Sequence, residues 1–147
     1  MMPPLDATTG LLPPGIHNAA WPEFVQYFGT NKHRSGLIQL LLLLLGNLAS
    51  AGCTKVYVDG SFVTSKLLPS DYDLCWDPSG VAPNLIDPVL LDFSNGRSAM
   101  KLKYGGDIFA ASWAEGQSGK TFLDFFQIDK ATGNPKGIVM LIPQEAI

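Results

Sequence analysis

The sequence predicts an α+β fold, and three observations carry the prediction. Trp21, Phe24, Val25 and Phe28 recur at helical spacing, and a leucine-rich helical stretch follows them. Downstream, short apolar runs of strand period alternate with clusters of Gly, Pro, Asn and Asp. The order is therefore helix, helix, then mostly strands, the order of a segregated rather than an alternating architecture. A chain of 147 residues suits one domain with one core, spanning 1–147.

Pro3-Pro4 and Pro13-Pro14-Gly15 bracket an opening segment, residues 1–17, that should run extended over the surface, because these residues resist both helix and central strand. The first helix begins near Trp21, tolerates Pro22 in its first turn and can stop at Gly29. Asn31 or Ser35 can cap a second helix that runs to about Ser50, where Ala51-Gly52 supplies a stop. Its apolar residues cover nearly the whole circumference, so the sheet together with the first helix or a partner chain should cover it. The run Leu37 to Leu45, broken by Gln39, falls short of the ~20 residues a membrane span needs and reads as a buried helix.

Residues 55–59 and 72–76 read as strands. Residues 77–99 read as loop with one helical turn near Leu85 to Leu91, and 101–104 and 108–111 as short strands. Residues 121–128 and 138–142 read as the arms of a hairpin joined by the turn formers of 129–137.

Composition narrows the function. Hydrophobic residues make up 46% and charged residues 16%, which excludes a disordered chain and predicts a low-charge surface. Ten Lys+Arg against thirteen Asp+Glu, a net charge of -3, argue against a protein whose main task is coating nucleic acid. The amino terminus shows no basic region followed by an apolar stretch, so the expected location is the cytoplasm. Cys53 and Cys75 lack metal-ligand spacing and read as reduced core residues without a disulfide.

The chemistry concentrates in Val56-Tyr57-Val58-Asp59-Gly60-Ser61-Phe62, followed after a short spacer by Asp71-Tyr72-Asp73-Leu74. A strand ending in Gly-Ser brings bare amides and a hydroxyl to its tip, where a phosphate can approach closely. On a strand, Asp71 and Asp73 project to the same face about 7 Å apart, close enough to share divalent ions. With oxygen ligands only, those ions would be Mg²⁺ or Mn²⁺. Asp124, within the apolar run 121–128, is an acid whose burial is costly unless it is paired or on a metal, against a structural role, and Asp107 follows Gly105-Gly106.

Gly60-Ser61 followed by Asp71-x-Asp73 resembles the signature of the DNA polymerase β-like nucleotidyltransferase superfamily. The wording around Leu12-Pro13-Pro14-Gly15-Ile16-His17, Gly60-Ser61-Phe62-Val63-Thr64, Phe125-Phe126-Gln127 and Lys136-Gly137-Ile138-Val139 is also similar to a small bacterial and phage family assigned to that superfamily, over most of the chain. The resemblance implies a minimal mixed sheet packed on N-terminal helices, with a third carboxylate from a later strand, Asp124 being the best placed for it and Asp107 the reserve. It further implies transfer of a nucleoside monophosphate from an NTP to a protein or RNA acceptor, in a toxin–antitoxin or phage-defence setting. In that scheme Gly60 and Ser61 hold phosphates, Asp71 and Asp73 hold Mg²⁺, and Asp124 helps activate the acceptor hydroxyl. The alternative is a catalytically silent module that binds a nucleotide or a partner chain, a cognate protein or a second copy. Asp59 departs from the superfamily pattern, which has an apolar residue there.

Among the basic residues, Lys66 ranks first for phosphate contact by nearness to the turn, ahead of Arg97, Lys101, Lys103 and Lys136. Asp59 and Asp77 read as exposed strand ends. His17 follows a Pro-Pro-Gly bend and should bond backbone, His33 stands alone, and Arg34 either caps a helix or pairs with a carboxylate. Trp21, Phe24, Phe28 and Trp76 read as core, and Trp113 has no pattern around it.

Overall fold

A computed structural model describes residues 2–147. After the Pro13-Pro14 bend the chain forms strand β1 (Gly15–Asn18), followed by helix α1 (Trp21–Phe28). Pro22 sits in the first turn of α1, where its missing N–H is no loss, and the Gly29 N–H closes the last turn on the Val25 carbonyl. Phe24 and Phe28 are buried with ring centroids 5.0 Å apart, and both meet Phe62.

Helix α2 (Lys32–Ser50) is capped by Asn31, whose side chain accepts the Arg34 N–H at 2.8 Å. Leu37, Leu41, Leu44, Leu45 and Leu48 form its buried stripe. Full burial of each leucine stabilises by about 1.5–3 kcal/mol, and this stripe, not the all-round apolar character, anchors the helix. The sheet and α1 cover this stripe, while Leu43 on the other side is 61% exposed.

Among the described residues the sheet has five strands: β1, β2 (Val56–Asp59), β3 (Tyr72–Trp76), β4 (Gly106–Ala110) and β5 (Gly137–Leu141). Their order is β1-β5-β2-β3-β4, with β1/β5 and β3/β4 parallel and β5/β2 and β2/β3 antiparallel. Two further helices, α3 (Ser94–Tyr104) and α4 (Phe122–Phe126), complete an α+β fold with a mixed sheet.

Period two divides the sheet residues between its faces. Val56, Val58, Leu74, Ile108, Val139 and Leu141 join the main core with α1, α2 and α3. The opposite face carries Tyr57, Cys75, Phe109 and Ile138, which pack with Phe122 and Phe126 of α4. Because α4 is one short turn long, it covers only part of this face. The uncovered end is where Asp59, Asp73 and Asp107 emerge.

Three expectations are corrected. Residues 101–104 belong to α3, because Met100 and Tyr104 at i and i+4 enter the core while Leu102 stays 88% exposed. The run 121–128 does not form a hairpin arm. Thr121 caps α4 by accepting the Asp124 N–H, and Phe122 and Phe126 then meet the sheet from one side of a helical turn. Short apolar runs read alike in either state, so β5 finds its partners in β1 and β2 instead. The opening segment is not extended throughout: residues 7–9 turn, with the Gly10 N–H donating to the Asp6 carbonyl and the Asp6 N–H to the Leu11 carbonyl, and its end, Gly15–Asn18, adds the edge strand β1.

Cys53 and Cys75 are both buried and free, so there is no disulfide among the described residues. Burial pushes the Cys53 thiol up to about 11 and that of Cys75 higher still. Among the described residues no helix is long and apolar enough to cross a membrane.

Candidate active site

Strand register builds the site. Asp59 on β2 lies opposite Asp73 on β3, and Asp73 lies beside Asp107 on β4. Neighbouring strands are about 4.8 Å apart, so the carboxylates form a row across three strands on one face. Asp71, two residues before Asp73, extends this row, and the charge of Asp107 adds to burial in raising its pKa.

Cations occupy the two ends of the row. Lys136 Nζ lies 2.8 Å from Asp59 Oδ1, and Arg97 Nε donates to Asp107 Oδ1 at 2.8 Å with Lys101 Nζ at 3.6 Å. Among the described residues neither Asp71 nor Asp73 has an ion-pair partner. Burial, reinforced by Asp59, Asp107 and Asp71, pushes the Asp73 carboxyl up to about 7.

The turn after β2 meets Asp73 directly. Gly60 adopts φ 85° and ψ -172°, a region only glycine enters readily. A Cβ there would stand 2.9 Å from Asp73 Oδ2. Ser61 then opens a 3-10 turn over Ser61–Val63, held by the Thr64 hydroxyl donating to the Ser61 carbonyl. Gly60, Ser61 and Asp73 line one cleft of about 310 Å³, closed on its other side by Phe125, Phe126, Lys130 and Lys136.

A larger cleft of about 490 Å³ lies between the N-terminal prolines and residues 129–135. Its acids are committed to turns: Asp6 accepts the Thr8 and Thr9 amides, and Asp129 accepts the Thr132 hydroxyl. The smaller cleft, which Asp129 also lines, holds Asp73, the carboxylate without an ion-pair partner among the described residues, and is the candidate site.

Several expected site residues are found elsewhere. Asp124 is exposed in the first turn of α4, and neither it nor Asp71 nor Asp107 is among the residues lining the cleft; Asp107 takes the strand position beside Asp73. Lys66 is exposed and lines a separate cavity with Tyr27 and Arg34, while Lys130 and Lys136 line the cleft. Asp59 is no exposed strand end: it is 4% exposed and paired. The Asp77 carboxylate accepts the Ser79 N–H in a turn. His17 Nε2 lies 2.7 Å from the Pro13 carbonyl oxygen, and His33 Nε2 meets the Pro69 carbonyl.

Of the two roles considered for Arg34, the capping one holds: its guanidinium donates to the carbonyl of Phe28 at the end of α1, and it pairs with no carboxylate among the described residues. It is 3% exposed, and its guanidinium donates to the carbonyls of Phe28, Phe62, Thr64 and Lys66 while lying 5.0 Å from the Phe62 ring centroid. It thereby ties α2 to the segment that follows the Gly-Ser turn. Nothing in the local sequence distinguishes such a residue from a surface arginine, since all its acceptors are backbone atoms.

The residues suit a hard divalent ion. Every donor in the row is a carboxylate oxygen, and the central carboxylate lies in a charge environment that an added cation would relieve. Among the described residues no group of three acids, histidines or cysteines converges into a ready cage. Mg²⁺ does not require one, because it binds through one or two carboxylates and takes its remaining ligands from water and substrate phosphate.

An α+β fold with a row of carboxylates beside a Gly-Ser turn thus defines the chain structurally. It belongs to a protein family of unknown function, DUF6932, whose model matches residues 3–142. Neither a curated protein nor a solved structure matches the chain.

Proposed function

We propose that this protein is a metal-dependent nucleotidyltransferase that moves a nucleoside monophosphate from an NTP to a hydroxyl on a protein or RNA acceptor. The observation that carries the reading is Asp73, a carboxylate without a counter-ion among the described residues, facing Gly60 and flanked by Asp71 and Asp107. Its setting supports a cation-binding role better than a structural one.

In this reading Gly60 and Ser61 face the β- and γ-phosphates, and Asp71 and Asp73 hold the divalent ions. Mg²⁺ or Mn²⁺, when bound, supplies charge stabilisation for the phosphoryl centre and the departing pyrophosphate. The acceptor oxygen bonds to the α-phosphorus, the bond to the β-phosphate oxygen breaks, and the hydroxyl proton passes to an Asp107 carboxylate oxygen. Acceptor recognition falls to exposed segments or to a partner, such as a cognate toxin or antitoxin or a phage-defence component.

Incubation with Mg²⁺, each labelled NTP and a cell extract tests this reading. Labelling of protein or RNA that Asp71→Ala/Asp73→Ala abolishes without unfolding the chain supports it, whereas equal labelling by the double variant overturns it. One observation favours a second reading, a silent nucleotide- or partner-binding module: Asp107 is already engaged by Arg97 and Lys101. NTP binding by calorimetry with no transfer in any extract would select that module.

A further inference from the structure

Lys130 and Lys136 belong to one closed turn, with an isolated bridge between Ile128 and Pro135 at its base. Asp129 and Asn134 bond through their backbones, the Gly133 N–H donates to the Asp129 carbonyl, and the Lys136 N–H donates to the Gln127 carbonyl. Both ammonium groups are thus carried on a fixed turn at the cleft wall facing the carboxylate row. Lys130 Nζ lies 5.3 Å from the Phe125 ring centroid, and its charge opposes the rise in pKa of Asp59 and Asp73.

Lys136 is the unusual member. Its side chain is 14% exposed, and among the described residues Asp59 is its one ion-pair partner. Asp59 in turn stands opposite Asp73, so the buried pair lines the same cleft as Gly60 and Ser61. A cleft with carboxylates on its floor and lysines on one wall matches a metal-polyphosphate complex, which presents cations on one side and phosphate oxygens on the other.

We propose that Lys136, with Lys130 beside it, is the polyphosphate-binding wall of this cleft, and that Asp59 is the internal counter-ion holding Lys136 in place until a phosphate oxygen replaces it. The assignment rests on the cleft receiving an NTP, as proposed above, and adds which residues grip the phosphates. It also explains a carboxylate at position 59, where the resemblance leads one to expect an apolar side chain. Asp59 keeps a nearly buried lysine charged and correctly placed in the absence of ligand.

Calorimetric titration of the full chain with inorganic tripolyphosphate, in excess Mg²⁺ and again in EDTA, tests the proposal without requiring turnover. The expected result is binding in Mg²⁺ that Lys136→Met weakens by about tenfold or more and Lys130→Met by roughly twofold to fivefold. Asp59→Asn, which frees Lys136 and removes a negative charge, should bind several-fold more tightly than the native chain in EDTA. Because Lys136→Met alone strands a buried carboxylate, the charge-balanced Asp59→Asn/Lys136→Met variant is titrated too, and it should show the same loss as Lys136→Met. Native-like affinity in a folded Lys136→Met or double variant overturns the proposal, as does a native chain that binds no tripolyphosphate. Tripolyphosphate binding with the expected losses but no nucleotide transfer would retain this site and reject the transferase reading.

Discussion

Asp59 and Asp73 face each other across β2 and β3, yet Lys136 neutralises the first and, among the described residues, no cation neutralises the second. The two carboxylates share a face and a register position, so the difference is not one of exposure to the same cleft. It arises from what the next strand over supplies: β5, beside β2, is entered through Lys136, whereas β4, beside β3, contributes another acid, Asp107. The middle of the row is therefore left with excess negative charge.

That imbalance has a stability cost that pH should reveal. The folded-state pKa of Asp73 is about 7 against about 3.9 for an unfolded aspartate, so between these values the folded chain binds more protons than the unfolded one. The penalty is absent below the lower value, grows as pH rises, and is complete above about 7. Asp73→Asn should therefore stabilise the metal-free protein at about pH 8, on the order of 1–2 kcal/mol, and by progressively less towards about pH 4. Urea unfolding at both pH values checks this; coincident midpoints for native and variant chains at the higher pH would refute it.

Gly60 is expected to be irreplaceable for a local reason. Its φ of 85° strains any L side chain, and a Cβ would press on Asp73 Oδ2 at 2.9 Å and on the Asp73 amide nitrogen at 3.2 Å. Gly60→Ala should lower stability by about 1–3 kcal/mol and abolish binding of Mg²⁺-NTP, measured by thermal melting and calorimetry on the same sample. An alanine variant that melts and binds like the native protein would show that the turn tolerates another conformation.

Arg34 makes a prediction about architecture. Removing its guanidinium leaves the carbonyls of Phe28 and Phe62 without their donor in a buried setting, and those of Thr64 and Lys66 without it in a half-buried one. Arg34→Met keeps the apolar stem and should cost about 3 kcal/mol or more. Arg34→Lys should recover little, because one ammonium cannot reach acceptors arranged around a planar fork. Chemical denaturation of both variants decides the matter, and a lysine variant as stable as the native chain would argue against the fork geometry.

The legibility of this fold tracks the range over which each determinant acts. Helices α1 and α2 were readable because stripe, cap and stop all lie within a few residues, as with Asn31 and the leucines that follow it. Strands β2, β3 and β5 were readable from apolar period two. The short elements were not: Lys101-Leu102-Lys103-Tyr104 alternates like a strand, and only the docking of Met100 and Tyr104 makes it helical. In the site, Gly60, Ser61, Asp71 and Asp73 stood out because their spacing is local. The Asp59–Lys136 pair joins residues 77 positions apart through the β2/β5 register, and no local pattern announces it.

The same distinction separates two candidates for the third carboxylate. Asp124 drew notice because an acid inside an apolar run is expensive to bury, but its helical turn leaves it in solvent with its N–H on Thr121, so it incurs no such expense. Asp107 is the acid that strand register delivers beside Asp73, and its ion pair with Arg97 depends on an arginine at φ 63°, a conformation that costs a non-glycine residue about 1–2 kcal/mol. In the proposed reaction Asp107 is the better candidate, because strand register sets it beside the unpaired Asp73 while Asp124 stays in solvent on α4. Asp107→Asn should reduce nucleotide transfer by about a hundredfold or more, while Asp124→Asn should leave it within about twofold of native. Side-by-side transfer assays on the two folded variants check this, and the reverse ranking would return the role to Asp124.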